Sequence, residues 1–257
     1  MKILSENISQ VPKTVRHLSV SSFDDVPVGS KVILFSYSKI ITPDQIKSYQ
    51  IFNLHNSLLP KYRGLHAFTW AIINGESEIG FTLHKIDENI DNGEIVSQLK
   101  FQLFPTENIN HAFSKGWELL NEWLPQQIEL LNSDNYTLKT QNPMHATYFC
   151  RRKSEDSHIN WNLPSIDILN LIRAVHPPYT EGAFSYIGDR KIIFCEINYN
   201  KKFSTYKSIP GQILCINNDG SVFIKTGDSF VVVRDVLYND EKISLSKLIS
   251  KPGLILT

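Results

Sequence analysis

The stretch NLHNSLLPKYRG places an amide and an imidazole two residues apart, as Asn53 and His55. The apolar pair Ile51 and Phe52 leads into them, so they end a short strand, where residues two apart face the same side. An asparagine amide can stabilise a developing oxyanion, and a histidine moves protons near neutral pH. The pair therefore indicates acyl-transfer chemistry, although such a pair at a strand end is more often structural than catalytic.

A second polar cluster, residues 87–93, reads DENIDNG and holds three acidic side chains between two apolar stretches. A solvated turn accounts for most clusters of this kind. A carboxylate is also what a catalytic histidine needs to fix its tautomer and favour its charged form. The loop is therefore a candidate source of an acidic partner for His55.

These side chains need elements to position them, and hydrophobic patterning predicts such elements in the first half of the chain. Strands are predicted over residues 32–37, 51–55, 79–86 and 94–101, with weaker ones at 1–4 and 17–21. Helices are predicted from Thr42-Pro43, over residues 66–73, and over residues 109–131. This alternation predicts an α/β layer with a largely parallel sheet, in which ligands gather beyond the carboxyl ends of the strands.

The second half of the chain predicts a smaller, β-rich domain. Residues 151–160 are polar and linker-like, and Pro164-Ser165 opens a short helix. Five short strands follow, at residues 182–187, 191–197, 212–216, 222–225 and 229–236. Their spacing predicts a small barrel or sandwich, so the predicted domains are residues 1–150 and 151–257.

Composition narrows the classes of function. The 257 residues carry 26 basic and 26 acidic side chains, and this zero net charge disfavours nucleic acid as the main partner. Neither a signal peptide nor a membrane span is predicted, so we expect a cytoplasmic protein. The three cysteines, Cys150, Cys195 and Cys215, lack disulfide or metal-binding spacing, so we expect buried structural thiols.

The span from Phe52 to Gln98 resembles the folate-dependent formyltransferase family. It carries NLHNSLLPKYRG, WAIINGE, GFTLH and DNG in that order. The later stretches FCRRKSEDSHINWN, IRAVHPP and GAFSYIGDRK resemble the C-terminal domain of members that formylate nucleotide-linked amino sugars. The resemblance implies an α/β, Rossmann-like catalytic domain with a mostly parallel sheet, followed by a small open β-barrel of OB-like form.

The resemblance implies a catalytic triad of Asn53, His55 and Asp91. An acceptor amine would attack the formyl carbon of 10-formyltetrahydrofolate, the formyl donor. Asn53, and His55 when protonated, would stabilise the tetrahedral oxyanion, each contributing roughly 3 kcal/mol at a typical oxyanion site. Asp91 would orient or charge His55 and help to relay the amine proton, and no metal is implied.

Binding residues are implied on both sides of the triad. For folate, the resemblance implies Ser38, Lys39, Ile40, Leu58, Asp87 and Asn89. For the acceptor substrate, it implies Ser57, Tyr62, Arg63 and Trp70. His84 stands in the middle of a predicted strand, so we expect it to be packed in the core.

Only 52 residues precede Asn53, fewer than in family members. We therefore expect the sheet to lack at least one βα unit and acceptor binding to be altered. Three functions stay open: an N-formyltransferase acting on a nucleotide-linked amino sugar of surface polysaccharide, a methionyl-tRNA formyltransferase, or a non-catalytic folate- or nucleotide-binding relative. Transfer RNA would need a basic surface, which the neutral charge disfavours. The residues do not identify the nucleotide, the sugar or the oligomer, and a homodimer is left open.

Overall fold

The computed structural model describes residues 1–257, and the chain divides into two compact units. The first unit comprises Met1–Ala71, Ser77–Phe104 and His111–Arg151. The second comprises Ile72–Glu76, Pro105–Asn110 and Arg152–Thr257.

A six-stranded sheet forms the centre of the first unit. The strands up to residue 102 are β1 (Lys2–Leu4), β2 (Ser19–Val20), β3 (Lys31–Leu34), β4 (Gln50–His55), β5 (Arg63–Gly64), β6 (Glu78–Lys85) and β7 (Ile95–Gln102). The order across the sheet is β2-β1-β3-β4-β6-β7, and β5 pairs separately with β8 (Tyr148–Phe149). The strands from β2 to β4 run parallel, whereas β6 and β7 are antiparallel to their neighbours. The prediction of a mostly parallel sheet is thus confirmed.

The helices α1 (Pro43–Ser48), α2 (Ala67–Ile73) and α3 (Ile109–Asn132) lie close to their predicted positions. Helix α1 begins with a capping box, in which Thr42 Oγ1 accepts from the Gln45 N–H and the Gln45 side chain accepts from the Thr42 N–H. No helix of the chain is both long enough and apolar enough to cross a bilayer.

The N-terminal strands differ from the prediction. Strand β3 ends at Leu34 rather than at residue 37, because Ser36 adopts a φ of 48° and turns the chain out of the sheet. Residues 1–4, expected as a stub, form β1 inside the sheet, where Ile3 and Leu4 are buried. Short 3₁₀ turns, and no α-helix, connect β1, β2 and β3.

The second unit contains α4 (Ser165–Ala174) and two small antiparallel sheets. Its strands are β9 (Ala183–Ile187), β10 (Arg190–Phe194), β11 (Ile213–Ile216), β12 (Val222–Lys225), β13 (Phe230–Val233), β14 (Asp235–Tyr238) and β15 (Glu241–Ser244). They are ordered β15-β14-β10-β9 and β11-β12-β13. The predicted strand over residues 229–236 is in fact two strands, β13 and β14, which belong to different sheets. A common core with Trp161, Phe194 and Ile224 makes this unit the small β-rich domain expected.

Helix α4 receives its N-terminal cap from a distant residue, because its own N-cap position is Pro164. Asp228 Oδ1 accepts from the Ser165 N–H at 2.8 Å and from Ser165 Oγ at 2.9 Å. Thr226 Oγ1 lies 3.1 Å from the same carboxylate oxygen and 2.7 Å from Ser165 Oγ. We call Ser165, Thr226 and Asp228 the Asp228 network. A carboxylate cap of this kind stabilises a helix by about 1 kcal/mol.

The cysteines depart from the prediction of buried thiols. Cys150 and Cys215 are exposed and Cys195 is half-buried, and all three are free. Cys150 follows the two-residue strand β8, which offers little cover. Strand β11 has a register shift between Ile213 and Cys215, which turns Cys215 outward.

Candidate active site

Strand β4 positions the predicted catalytic pair against its neighbour β6. In the antiparallel register, Asn53 lies opposite His84 and His55 opposite Thr82. Residues directly opposite each other, and residues two apart on one strand, share a side of the sheet. Two strands therefore bring four polar side chains to one side of the sheet, and one of them is His84.

The loop between β6 and β7 brings Asp91 to this group. Asp91 adopts a φ of 47°, in the left-handed region that non-glycine residues rarely occupy. Gly93 packs so closely on β6 that a Cβ there would lie 1.7 Å from the Lys85 carbonyl oxygen. The backbone thus folds back onto the end of β6, and this conformation directs the Asp91 carboxylate toward His55 and His84.

The Asp91 carboxylate stands between the two imidazoles. Its Oδ2 lies 3.6 Å from His55 Nδ1, and its Oδ1 lies 3.5 Å from His84 Nε2. The Gly64 N–H donates to Oδ2 at 2.8 Å. Asn53 Nδ2 lies 3.4 Å from Asp91 Oδ1 and 3.3 Å from His84 Nε2. We call Asn53, His55, His84 and Asp91 the Asp91 cluster.

The second ring nitrogen of each imidazole contacts a backbone carbonyl. His84 Nδ1 lies 3.0 Å from the Lys85 oxygen, and His55 Nε2 lies 2.8 Å from the Tyr62 oxygen. Both nitrogens therefore carry protons and donate. The remaining nitrogen of His84, Nε2, faces both the Asn53 amide and Asp91 Oδ1. Protonated His55 would donate to Tyr62 and to Asp91 at once.

The electrostatics of the cluster favour an ionised carboxylate beside a neutral imidazole. Burial lowers the pKa of His55, and the His84 ring adds to this, whereas Asp91 and the Tyr62 carbonyl oppose it. Burial raises the pKa of Asp91, but the hydrogen bond with His84, the nearby imidazole charges and the Gly64 N–H together hold it far below its usual range. At neutral pH, His55 can thus accept a proton beside a carboxylate that stabilises the resulting charge.

The loops predicted to bind folate leave the sheet beside this cluster. Strand β3 pairs with β4 so that Leu34 lies opposite Asn53, and Ser38, Lys39 and Ile40 follow. Ser38 is held through its N–H and its hydroxyl, which both donate to Glu6 Oε2, at 3.0 and 2.7 Å. Ile40 is 92% exposed.

In the acidic loop, Asp87 organises the backbone. Its carboxylate accepts from the Asn89 N–H and from Asn92 Nδ2, both at 2.8 Å. Ile90 is 68% exposed in the same loop. The predicted folate residue Leu58 is half-buried, near Gly80 of β6. The roles of these residues in folate binding stay predictions.

Two residues predicted to contact the acceptor hold the protein together internally. Ser57 is buried, and its hydroxyl donates to the Lys61 carbonyl at 2.8 Å. Arg63 is 1% exposed, and its guanidinium donates to the Gln141 side chain and the Tyr148 hydroxyl. Both side chains are buried and bonded to other parts of the protein. Contact of either side chain with the substrate stays a prediction.

The other two predicted acceptor residues, Tyr62 and Trp70, both pack on Phe149. The Tyr62 ring is buried and stacks on Phe149 with centroids 5.1 Å apart. Trp70 is half-buried, lies 5.1 Å from the same ring, and donates from its indole N–H to the Cys150 carbonyl at 3.0 Å. Trp70 is therefore the most accessible of the four residues predicted to contact the acceptor.

Sequence patterning missed the roles of His84 and Thr82. His84 is buried as predicted, yet it belongs to the Asp91 cluster. The Thr82 hydroxyl donates to the Ser57 carbonyl at 2.6 Å and accepts from the Leu59 N–H at 3.1 Å, which fixes the chain just after His55. The sequence pattern that could have indicated these roles is the polar pair Thr82 and His84, two residues apart within an otherwise apolar strand. No group of three or more His, Cys, Asp or Glu side chains is arranged to hold a metal ion.

Family comparison matches both halves of the chain. Residues 27–128 match the formyl transferase family, and residues 151–251 match the formyl transferase C-terminal domain. The bifunctional polymyxin resistance protein ArnA of Wigglesworthia glossinidia brevipalpis is 35% identical over 212 residues. The match covers 80% of this chain but only 31% of that relative, so the chain spans about a third of its length.

Two solved structures share the fold. WlaRD, described as a sugar 3N-formyl transferase in the presence of dTDP and 5-N-formyl-THF, superimposes with a TM-score of 0.68 and 22% identity over 93% of this chain and 87% of WlaRD. An N-formyltransferase of Helicobacter canadensis, in complex with folinic acid and dTDP-3-aminofucose, has a TM-score of 0.64 and 24% identity over 87% of this chain and 79% of its own. At these identities, the likeness shows a common fold.

Proposed function

The chain belongs to the formyltransferase family, and we propose that it transfers a formyl group from 10-formyltetrahydrofolate to the primary amine of a nucleotide-linked amino sugar. The observation that carries the proposal is the Asp91 cluster. It places an oxyanion donor, Asn53, and a proton acceptor, His55, each within 3.6 Å of the Asp91 carboxylate at a strand end. This is the set of groups that amine formylation needs.

The nature of the relatives supports an amino sugar as the acceptor. Both solved structures are described with dTDP or a dTDP-linked sugar, and the sequence relative is a polymyxin resistance protein. We infer that the product belongs to lipopolysaccharide or another surface polysaccharide. The sugar and the nucleotide are left to the experiment below.

The charges of the second unit favour a small acceptor over tRNA. Several of its cations stand beside carboxylates, as Arg234 does beside Asp219 at 2.6 Å and Lys242 beside Asp235 at 3.6 Å. Mixed charge of this kind does not make the continuous basic surface that a phosphate backbone selects. Residues 201–207 are the basic exception, with three lysines and no acid, so methionyl-tRNA is included as a competing acceptor.

Two loops beside the cluster support the choice of a folate as the formyl donor. A pterin ring is flat and rich in hydrogen-bonding edges, so it needs apolar contact together with backbone polar groups. Ile40 and Ile90 offer exposed apolar surface on two loops that border the cluster, with the half-buried Leu58 between β4 and β5. The donor itself supplies the electrophilic formyl carbon.

We assign the chemical steps to the cluster as follows. The formyl carbon gains a bond to the amine nitrogen and loses its bond to the folate nitrogen, while one proton leaves the amine and one reaches the folate nitrogen. Neutral His55 accepts the amine proton, and Asp91 stabilises the imidazolium that forms. For this step the His55 proton moves from Nε2 to Nδ1, where Asp91 Oδ2 accepts it. Nε2 then leaves the Tyr62 carbonyl, takes the amine proton and passes it to the folate nitrogen. Asn53 stabilises the developing oxyanion, and His84 holds the Asn53 amide in place.

The test is a formyl-transfer assay with a panel of acceptors. The protein is incubated with 10-formyltetrahydrofolate and, separately, with UDP-, TDP- and GDP-linked amino sugars and with methionyl-tRNA. Mass spectrometry detects the formylated product. We expect a product with one amino-sugar nucleotide and none with the His55→Ala variant. Product from methionyl-tRNA alone, or equal product from His55→Ala, would contradict the proposal.

A further inference from the structure

One side chain from residues 129–150, which lie between the two regions matched to the family, reaches the backbone of the acidic loop. Gln141 is buried, and its Nε2 donates to the carbonyl oxygens of Asp91 and Gly93, each at 2.8 Å. Its Oε1 accepts from Arg63 Nε at 3.1 Å and from Arg63 Nη2 at 2.6 Å. The amide thus makes all four hydrogen bonds that a glutamine side chain can make.

These bonds close a ring around Asp91. Gln141 holds Arg63, Arg63 is followed by Gly64, and the Gly64 N–H donates to Asp91 Oδ2 at 2.8 Å. Gln141 then returns to the Asp91 backbone carbonyl. The carboxylate of Asp91 and its backbone are therefore fixed by the same ring, and Gln141 is the member that joins them.

The acidic loop needs such support because its backbone is strained. Asp91 occupies the left-handed region, with a φ of 47°, and Gly93 is pressed against the Lys85 carbonyl. A non-glycine residue keeps this conformation only where its surroundings enforce it. If the two bonds from Gln141 were lost, the loop could relax and carry the carboxylate away from His55.

We propose that Gln141 is a positioning residue for formyl transfer, which holds residues 91–93 so that the Asp91 carboxylate stays against His55. The kinetic part of this proposal rests on the proposed function. Gln141 does not contact the reacting atoms, so its main effect should fall on turnover and on the titration of His55. Any effect on binding should be confined to the folate, which the same loop is predicted to contact.

The chain offers a matched control for this experiment. Gln127 is also a buried glutamine of the first unit, and its Oε1 accepts from Ser97 Oγ at 2.6 Å, away from the acidic loop. Gln141→Met and Gln127→Met remove the same amide at similar volume. Gln141→Glu keeps an acceptor for Arg63 but has no N–H for the Asp91 and Gly93 carbonyls. This third variant separates support of the loop from support of Arg63.

We expect Gln141→Met to lower kcat roughly 10- to 100-fold, the scale of a misplaced catalytic group, with the KM for the acceptor little changed. Gln141→Glu keeps the Arg63 contact and should stay folded, as circular dichroism checks, but its second carboxylate oxygen repels the Asp91 and Gly93 carbonyls, so it should turn over slowly. Gln127→Met should keep full turnover. Full activity of Gln141→Glu would show that Gln141 acts through Arg63 alone and would overturn the proposal.

A second readout does not depend on turnover. NMR of histidine-labelled protein follows the titration of His55, which is assigned by the loss of its signal in His55→Gln. Asp91 favours the charged form of His55, so its release should lower the pKa of His55 further in Gln141→Met and leave it unchanged in Gln127→Met. If the unmodified protein formylates no acceptor, the proposed function fails while this titration still tests Gln141. An unchanged titration in Gln141→Met would refute the positioning role.

Discussion

The Asp91 cluster and the Asp228 network share one feature: each is centred on a partly buried aspartate that accepts a hydrogen bond from a backbone N–H. Asp91 accepts from Gly64 in the first unit, and Asp228 accepts from Ser165 in the second. In both places, burial raises the pKa of the carboxyl group and hydrogen bonding lowers it more strongly. A buried, ionised aspartate therefore does not by itself distinguish a reactive site from a structural one.

The difference lies in the other partners of each carboxylate. Asp228 contacts the hydroxyls of Ser165 and Thr226, which do not titrate near neutral pH. Asp91 contacts the imidazole of His55, which does titrate there. The first arrangement can only hold a helix end, whereas the second can store and release a proton. The comparison predicts that equivalent substitutions in the two sites will separate activity from stability.

The largest effect is expected from the pair of isosteric substitutions Asp91→Asn and Asp228→Asn. Asp91→Asn keeps an acceptor for Gly64 but removes the charge that stabilises protonated His55, so kcat/KM should fall roughly 10²- to 10⁴-fold. Asp228→Asn should leave kcat/KM unchanged. Steady-state formylation kinetics, with the acceptor that the formyl-transfer assay identifies, measure both values. Loss of activity in Asp228→Asn, with the fold intact by circular dichroism, would contradict the comparison.

A smaller loss of turnover is expected from His84→Asn. His84 Nε2 contacts the Asn53 amide at 3.3 Å and holds it beside Asp91. Without the ring, the amide can rotate, and we expect kcat to fall about 10-fold, the lower end of the cost of a misplaced group. Thr226→Val is the matched change in the Asp228 network and should leave kcat unchanged. Equal kcat in the two variants would assign His84 to the core, as its position in the sequence first indicated.

The fold could be predicted well where local patterning decides the structure. The capping box at Thr42 and the amphipathic period of α3 fixed those helices, and alternating apolar residues fixed β4, β6 and β7. Prediction failed where the chain departs from regular geometry. The turn at Ser36 shortens β3, and the bulge in β11 exposes Cys215, and neither follows from hydrophobic period alone.

The candidate site shows the same division. Asn53 and His55 were identified because two polar residues end one strand, and Asp91 because a family motif carries it. His84 and Gln141 were missed because their contacts depend on the register between β4 and β6 and on a segment that returns 50 residues after Asp91. Such long-range pairing has no signature in the local pattern of a single sequence.

The third prediction concerns stability in the second unit. Asp228→Ala removes the acceptor for the Ser165 N–H and hydroxyl at the start of α4. The variant should lose about 1–2 kcal/mol of stability, as for other lost helix caps, while formyl transfer at low temperature stays unchanged. Hydrogen exchange read by mass spectrometry should locate the loss in α4 and its neighbours. Faster exchange in β4 and β6 instead would mean that the Asp228 network supports the other unit.

The smallest expected effect is a difference between the two units in how their stability depends on pH. Hydrogen exchange of each unit between pH 3 and pH 8 measures it. The pKa of His55 is lowered by folding, so the unfolded state binds more protons just below its own pKa of about 6.5. The first unit should therefore lose stability as the pH falls through that window. The pKa of Asp91 and of Asp228 is also lowered, so both units should lose stability again below about pH 4, where unfolded aspartate becomes protonated.

Single substitutions separate these two windows. In His55→Gln, the stability of the first unit should depend less on pH just below pH 6.5. The stability of the second unit should be unchanged. Asp228→Asn should reduce the dependence of stability on pH only in the second unit and only below about pH 4. The reason is that its hydroxyl and amide partners do not titrate. A slope near pH 6.5 that persists in the first unit of His55→Gln would show that another group binds the proton there. The titrating group of the Asp91 cluster would then not be His55, and the contrast between the two aspartates would lose its basis.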